Sequence, residues 1–193
     1  MRRRGADVLL NLGDVLCGPL EPRATFERLR NEGVLLTVRG NQDRQIYDAS
    51  EQDRRGNPTL NFAIEDLGEE AIQWLRSIPE TAAFENEIFL CHGTPSSDET
   101  YLLEDVASGR PLLKPEEEIV RLLGDVPHPV ILCGHTHIPR LVRLASGQII
   151  LNPGSVGLPA YSDDQPNPHA MENYSPHASY AILTKSSQKY LKF

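Results

Sequence analysis

The chain has 193 residues, 39% hydrophobic and 24% charged, a length and balance that suit a single globular domain over 1–193, able to bury a core without disulfide or metal staples. A formal net charge of -8 and a pI near 5.2 set up a field that repels polyanions; this argues against binding a nucleic-acid polymer and leaves a small phosphorylated substrate open. Three cysteines, Cys17, Cys91 and Cys133, make neither an even framework nor a C-x-x-C pair, so each reads as a small hydrophobe in a reducing, cytoplasmic setting.

Arg2-Arg3-Arg4 precedes Val8-Leu9-Leu10, but Asn11 and Asp14 interrupt that run too soon for a signal peptide. No apolar run approaches the ~18 residues of a membrane span. Asp7 to Leu12 reads as a short buried strand ended by Gly13-Asp14. Pro22 to Arg30 carries Ala24, Phe26 and Leu29 among charges and predicts a helix, with Gly33 placed to stop it. A strand over Val34 to Val38 leads into the polar turn Arg39-Gly40-Asn41-Gln42-Asp43. A helix over Gly68 to Ser77 is closed by Pro79, and Thr81 to Phe84 with Ile88 to Cys91 predict a hairpin that ends on His92-Gly93.

Lys114-Pro115 ahead of three glutamates predicts a helix running to Leu123, since proline and carboxylates suit a first helical turn. Val130 to Cys133 is a further apolar strand, ending in Gly134-His135-Thr136-His137. Leu141 to Leu144 pairs with Gln148 to Leu151 around Ala145-Ser146-Gly147, and 152–157 forms a rigid loop. Ser162 to His177 reads as a long polar loop, of a length often found in functional lids. Tyr180 to Thr184 and Lys189 to Phe193 predict a last hairpin across Ser186-Ser187. Strands alternate with helices early and pair as hairpins late, which fits an α/β fold, a mixed sheet or sandwich with flanking helices.

Metal-capable residues recur at the ends of successive apolar strands: Asp14, Asn41, His92, His135 and His137. Strand ends of one sheet converge on an edge where loops can aim side chains at a shared point. A mixed carboxylate, amide and imidazole set suits manganese, iron, zinc or nickel. Taken singly, Gly13-Asp14 and Gly40-Asn41 are equally ordinary turns and His92 equally a core histidine. His135 and His137 carry more, because residues two apart on an extended segment face one side. His128, His169 and His177 lie in polar, proline-containing segments and are expected at the surface. Arg39 is open between a substrate phosphate and a salt bridge.

These motifs, Gly13-Asp14, Gly40-Asn41-Gln42-Asp43, Cys91-His92-Gly93, Gly134-His135-Thr136-His137 and Asn152-Pro153-Gly154-Ser155, resemble in order and spacing those of the calcineurin-like metallophosphoesterase superfamily, and in particular a small bacterial phosphodiesterase-like member. The resemblance covers nearly the whole chain. It implies a four-layer αββα sandwich of two central sheets covered by helices. It also implies two divalent ions, with Asp14 bridging them, Asn41, His92 and His135 completing the second site and His137 belonging to the first. The activity implied is hydrolysis of a small phosphodiester or phosphomonoester by metal-bound hydroxide, with two ions clamping the phosphoryl oxygens. A non-catalytic scaffold of the same fold is the alternative, a simple metal-binding regulatory protein is a third class, and a homo-oligomer stays open.

The chain departs from the family pattern twice. Family members open with a strand ending in Asp-x-His, two ligands of the first metal, which no segment here supplies. Met1 to Gly5 reads as the end of the helix that follows that strand, so the expectation is a chain starting about one strand and one helix late. Gln42 stands where many members carry a histidine thought to assist the leaving group, and glutamine holds no titrating proton. General acid help is typically worth about 10²–10⁴-fold, so esters with poor leaving groups would be affected most. Asp43 is open between orienting a neighbour and capping the following helix, with capping the expected use.

Overall fold

The computed structural model describes residues 4–32, 36–186 and 189–190. Thirteen strands and five helices among them run in the order β1 (Leu10–Asn11), α1 (Pro22–Glu32), β2 (Leu36–Thr37), α2 (Asn41–Asp48), α3 (Glu51–Gly56), α4 (Pro58–Ser77), β3 (Thr81–Phe84), β4 (Ile88–Cys91), β5 (Glu104–Asp105), β6 (Leu112–Leu113), α5 (Glu116–Leu123), β7 (Val130–Leu132), β8 (Arg140–Arg143), β9 (Ile149–Asn152), β10 (Ala160–Asp163), β11 (His169–Glu172), β12 (Lys185–Ser186) and β13 (Lys189–Tyr190). No helix of the described residues is long and apolar enough to cross a membrane.

The centre is a five-stranded sheet in the order β3-β4-β7-β9-β8. Its three inner strands are parallel, with Leu90 opposite Leu132 and Leu132 opposite Leu151, while β3 and β8 close the edges as antiparallel partners. Parallel strands covered on both faces call for apolar residues at nearly every position, and Ile88-Phe89-Leu90-Cys91, Val130-Ile131-Leu132 and Ile149-Ile150-Leu151 supply them. Alternation then divides these residues between two cores. Cys91, Ile131, Cys133 and Ile150 point to the face that Ile119 and Leu123 of α5 cover. Ile88, Leu90, Val130, Leu132 and Leu151 point to the other, where Leu10, Leu12, Leu36 and Val38 of the β1–β2 segment pack. A third core gathers Phe26, Ile46, Leu67, Ala71 and Leu75 of α1, α2 and α4 around Leu16.

The result is a mixed α/β fold, with β1 and β2 forming a parallel pair packed on the main sheet. The hairpin of β3 and β4 and helix α5 lie within a residue or two of their expected spans. Other spans differ. The helix expected from Gly68 begins ten residues earlier at Pro58, where the Asn57 side chain accepts from the Leu60 N–H at 3.1 Å. Gly68, with φ 72°, breaks its course, and Arg23 Nη1 donates to the Leu67 carbonyl at 2.9 Å beside the break. Helix α3 carries no buried residue, so it gives no apolar periodicity to read.

The loop expected over 162–177 contains most of a hairpin, β10 with β11, in which His169 and Met171 face inward. With Met171 as its main apolar residue, β11 shows no alternation in sequence. The first strand of the last hairpin lies at Lys185–Ser186, rather than over 180–184, and pairs with Lys189–Tyr190. The Gly33 stop, the Val34 start of β2 and residues 187, 188 and 191–193 of that hairpin lie outside the described residues.

Candidate metal centre

Strands β4 and β7 both end at the same edge of the sheet, so His92 follows one and His135 follows the other. Their rings lie 5.0 Å apart. Opposite them, the loop after β1 brings Asp14, and the turn after β2 brings Asn41 at the start of α2. His92 Nε2 is 3.3 Å from Asp14 Oδ2 and 3.2 Å from Asn41 Oδ1. Ligand-capable atoms of Asp14, His92 and His135 all fall within 4.8 Å of one another, the one such group among the described residues.

Two glycines let the loops come this close. A Cβ on Gly13 would stand 2.5 Å from Gly40 N and 2.8 Å from His92 Nδ1, and one on Gly40 would stand 2.5 Å from Asp14 N. All three distances are below any tolerable contact, so the Gly-Asp and Gly-Asn pairs record a close approach of two backbones as well as turn chemistry. Asp43 locks the approach. Fully buried, it accepts from Asp14 N at 2.8 Å, Val15 N at 2.8 Å and Gly40 N at 2.9 Å. It therefore caps α2 as expected and also joins the Asp14 loop to that helix. Asp14 Oδ1 accepts in turn from Gln42 N at 3.0 Å.

The histidine turn is held from below by Asn152. Its Nδ2 donates to the Gly134 carbonyl at 2.8 Å and to Thr136 Oγ1 at 2.9 Å, while its Oδ1 accepts from Gly154 N at 2.9 Å. The Asn-Pro-Gly-Ser motif is thus the clamp of the Gly-His-Thr-His motif, with Thr136 buried between the two histidines. Behind it Glu104, 1% exposed, receives Arg140 Nε at 2.9 Å. The Tyr161 hydroxyl donates to the His135 carbonyl at 3.1 Å, and the Tyr101 ring packs on the His135 ring at 4.8 Å.

The turn is not an extended segment. His135 and His137 have φ of 66° and 58°, and Asp14 has φ 54°, conformations that cost non-glycine residues about 1–3 kcal/mol each and cluster at functional sites. His135 and His137 therefore do not lie on one side of a strand as residues two apart on an extended segment would. His137 stands outside the three-residue group, with Nδ1 2.7 Å from the Leu158 carbonyl and its ring edge-on to Tyr161. His92 Nδ1 is likewise fixed, 2.6 Å from the Leu12 carbonyl, which leaves Nε2 toward Asp14 and Asn41. Such outer hydrogen bonds set which ring nitrogen is offered to a ligand.

Charge is tightly coupled here. Burial opposes ionisation of Asp14, yet His92 and the Gln42 N–H outweigh it and hold the carboxyl below its ordinary range. Burial alone would lower His92, and Asp14 beside it raises it. Burial, reinforced by repulsion from His92, pushes His135 down to about 4, so its ring is neutral at pH 7 with a lone pair to offer. Burial and the Asp14 charge push Asp43 up to about 6.

A carboxylate, an amide oxygen and two imidazoles converging at this range fit a borderline divalent cation. Of the histidines expected at the surface, His177 is exposed and His128 is partly buried against Phe89. His169 is a correction, 6% exposed with Nε2 3.0 Å from the Tyr101 hydroxyl. Burial pushes all three cysteine thiols up, in keeping with packing rather than reactivity. Tyr101, Tyr161 and Glu104 carry no local sequence signal and emerge only from the packing.

The family model described as calcineurin-like phosphoesterase superfamily domain matches residues 1–174. The chain belongs to the calcineurin-like phosphoesterase superfamily. Among solved structures it is similar to a metallophosphoesterase from Sphaerobacter thermophilus, with TM-score 0.58 and 22% identity over 86% of this chain and 78% of that one. It is also similar to a hypothetical protein from Pyrococcus horikoshii, with TM-score 0.63 and 19% identity over 93% of this chain and 79% of that one. At these identities the likeness is one of fold. No curated protein matches the chain.

Proposed function

We propose that this protein is a metal-dependent phosphoesterase that hydrolyses a small phosphodiester or phosphomonoester. The observation that carries this reading is the convergence of Asp14, His92 and His135 at one edge of the sheet. Asn41 adds an amide oxygen beside them. His137, with Nδ1 occupied by Leu158, keeps Nε2 for an adjoining position. Manganese, iron, zinc or nickel held by these residues would supply Lewis-acid charge to a phosphoryl oxygen and an activated water. The residues themselves orient and select. Asp43 and Asn152 fix the loops that carry the donors, and the partly buried edge restricts bulk water. Glutamine at position 42 offers no acid to protonate a departing oxygen, so activated esters should react faster than esters of basic alcohols.

The test combines metal content after dialysis with hydrolysis of an aryl phosphodiester in added manganese. His92→Ala and His135→Ala should each abolish retained metal and turnover, whereas His177→Ala should alter neither. Equal metal retention by all three variants would sink the ligand assignment. The scaffold reading gains ground if the metal-loaded chain hydrolyses no phosphoester and instead co-purifies with a stable protein partner.

A further inference from the structure

A cavity of about 210 Å³ lies beside the metal centre and shares His92 with it. Its walls come from Arg39, Glu80 and the 94–98 loop, including Thr94, Ser96 and Asp98. That loop is built rather than slack. Thr94 N donates to the Ser97 carbonyl at 2.8 Å, and a Cβ on Gly93 would meet the Ser97 carbonyl oxygen at 2.7 Å. Arg44 grips Asp98 with Nε and Nη2, at 2.9 and 3.0 Å, and so ties the loop to α2, the helix that starts at Asn41. The cavity and the metal centre therefore share two elements, the end of β4 and the beginning of α2.

Charge and size say what the cavity takes. Arg39 Nη2 faces Glu80 at 2.8 Å and Asp98 at 3.6 Å, and Arg44 faces Asp98 and Glu99. Every cation on this wall is thus matched by a carboxylate, so a second phosphate or a carboxylate tail finds no uncompensated positive charge. The Ser96 hydroxyl remains for hydrogen bonding, Thr94 Oγ1, which donates to the Ser97 carbonyl at 3.4 Å, can still accept, and the Arg39 Nε–H is buried without an acceptor. The volume is about 210 Å³. It is less than the ~300 Å³ at which pockets for drug-sized ligands begin.

We propose that this cavity is the alcohol subsite of the esterase, and that it takes a small uncharged polyol of glycerol to pentose size. The proposal rests on the phosphoesterase reading above. Hydrolysis forms one P–O bond from water and breaks the P–O bond to that polyol, which departs with one of the water's protons. Discrimination follows because a site that hydrogen-bonds substrate hydroxyls rejects analogues that lack them more strongly than a site that only senses size.

The experiment compares ethyl, glyceryl and carboxylate-bearing glyceryl phosphoesters on the metal-loaded protein, each as a monoester and as a methyl diester. The glyceryl ester should exceed the other two at least 10-fold in kcat/KM. Ser96→Phe, at the exposed side of the loop, should bring the glyceryl-to-ethyl ratio toward one. A ratio already near one in the parent, or one that Ser96→Phe leaves untouched, overturns the subsite. A second arm needs no turnover. Glycerol titrated into isotope-labelled protein should give saturable amide shifts at Thr94, Ser96 and Ser97 that Ser96→Phe abolishes, and their absence also overturns it. Hydrolysis of no ester at all would defeat the phosphoesterase reading, while the titration still decides the cavity.

Discussion

The two sides of the metal centre are held by different physics. His92 and His135 follow β4 and β7, whose residues are almost all buried within a five-stranded ladder. Asp14 and Asn41 follow β1 and β2, two-residue strands of only half-buried side chains. The histidine side is stiff because apolar burial on both faces of a parallel sheet leaves little freedom. On the carboxylate side a single buried side chain, Asp43, does the equivalent work through three backbone N–H groups. The lesson is that a site can be rigid on one side by packing and on the other by hydrogen bonds, and that the two should fail differently.

The largest effect should come from the packed side. Ile150→Ala, at a position fully buried in the central strand, should cost about 2–5 kcal/mol. Measured by urea unfolding, that loss should come with metal affinity changed by less than about threefold. A parallel collapse of metal affinity would show that the sheet and the site are not separable. Next comes Asp43→Ala, which strands one buried and two part-buried N–H donors and should cost about 3 kcal/mol. Here metal retention should fall along with stability, because the Asp14 loop loses its tie to α2. Stability lost with metal binding intact would show that Asp43 is only a cap.

Asn152→Ala should follow, at about 2 kcal/mol, since it leaves the Gly154 N–H without its acceptor and the Gly134 carbonyl with only the Thr136 N–H. Its signature is a weaker hold on His135, read as reduced metal affinity, and an unchanged affinity would break the link between the two motifs. The smallest change is a control. Glu51→Ala removes an exposed pair with Arg55 on α3 and should shift stability by less than about 0.5 kcal/mol. Any larger shift in a thermal melt would mean that α3 contributes more than its exposed surface suggests.

Sequence alone determined much that depends on local pattern. The apolar runs at Ile88, Val130 and Ile149 announce buried strands, because residues covered on both faces must be hydrophobic throughout. The polar punctuation after each run marks where the chain leaves the sheet, and this brings Asp14, Asn41, His92 and His135 into view. Helix α3 and hairpin β10–β11 escaped because neither carries enough apolar residues to reveal a period. His169 was misplaced for the same reason, since nothing in a polar stretch tells which residue turns inward to meet Tyr101.

Only the tertiary structure decided the rest. Gly13 and Gly40 look like ordinary turn residues until two loops 27 positions apart are seen pressed backbone to backbone. Asn152 looks like part of a rigid loop until its amide is seen bonded to the Gly134 carbonyl. The left-handed backbone at His135 and His137 overturned the strand geometry from which their shared face was argued, and it left His137 turned to Leu158. The physical reason is one of range. Burial and turn chemistry act on neighbours along the chain and leave their mark in sequence, whereas close approach, buried hydrogen bonds and the aim of a side chain depend on partners far away in sequence and exist only once the chain has folded.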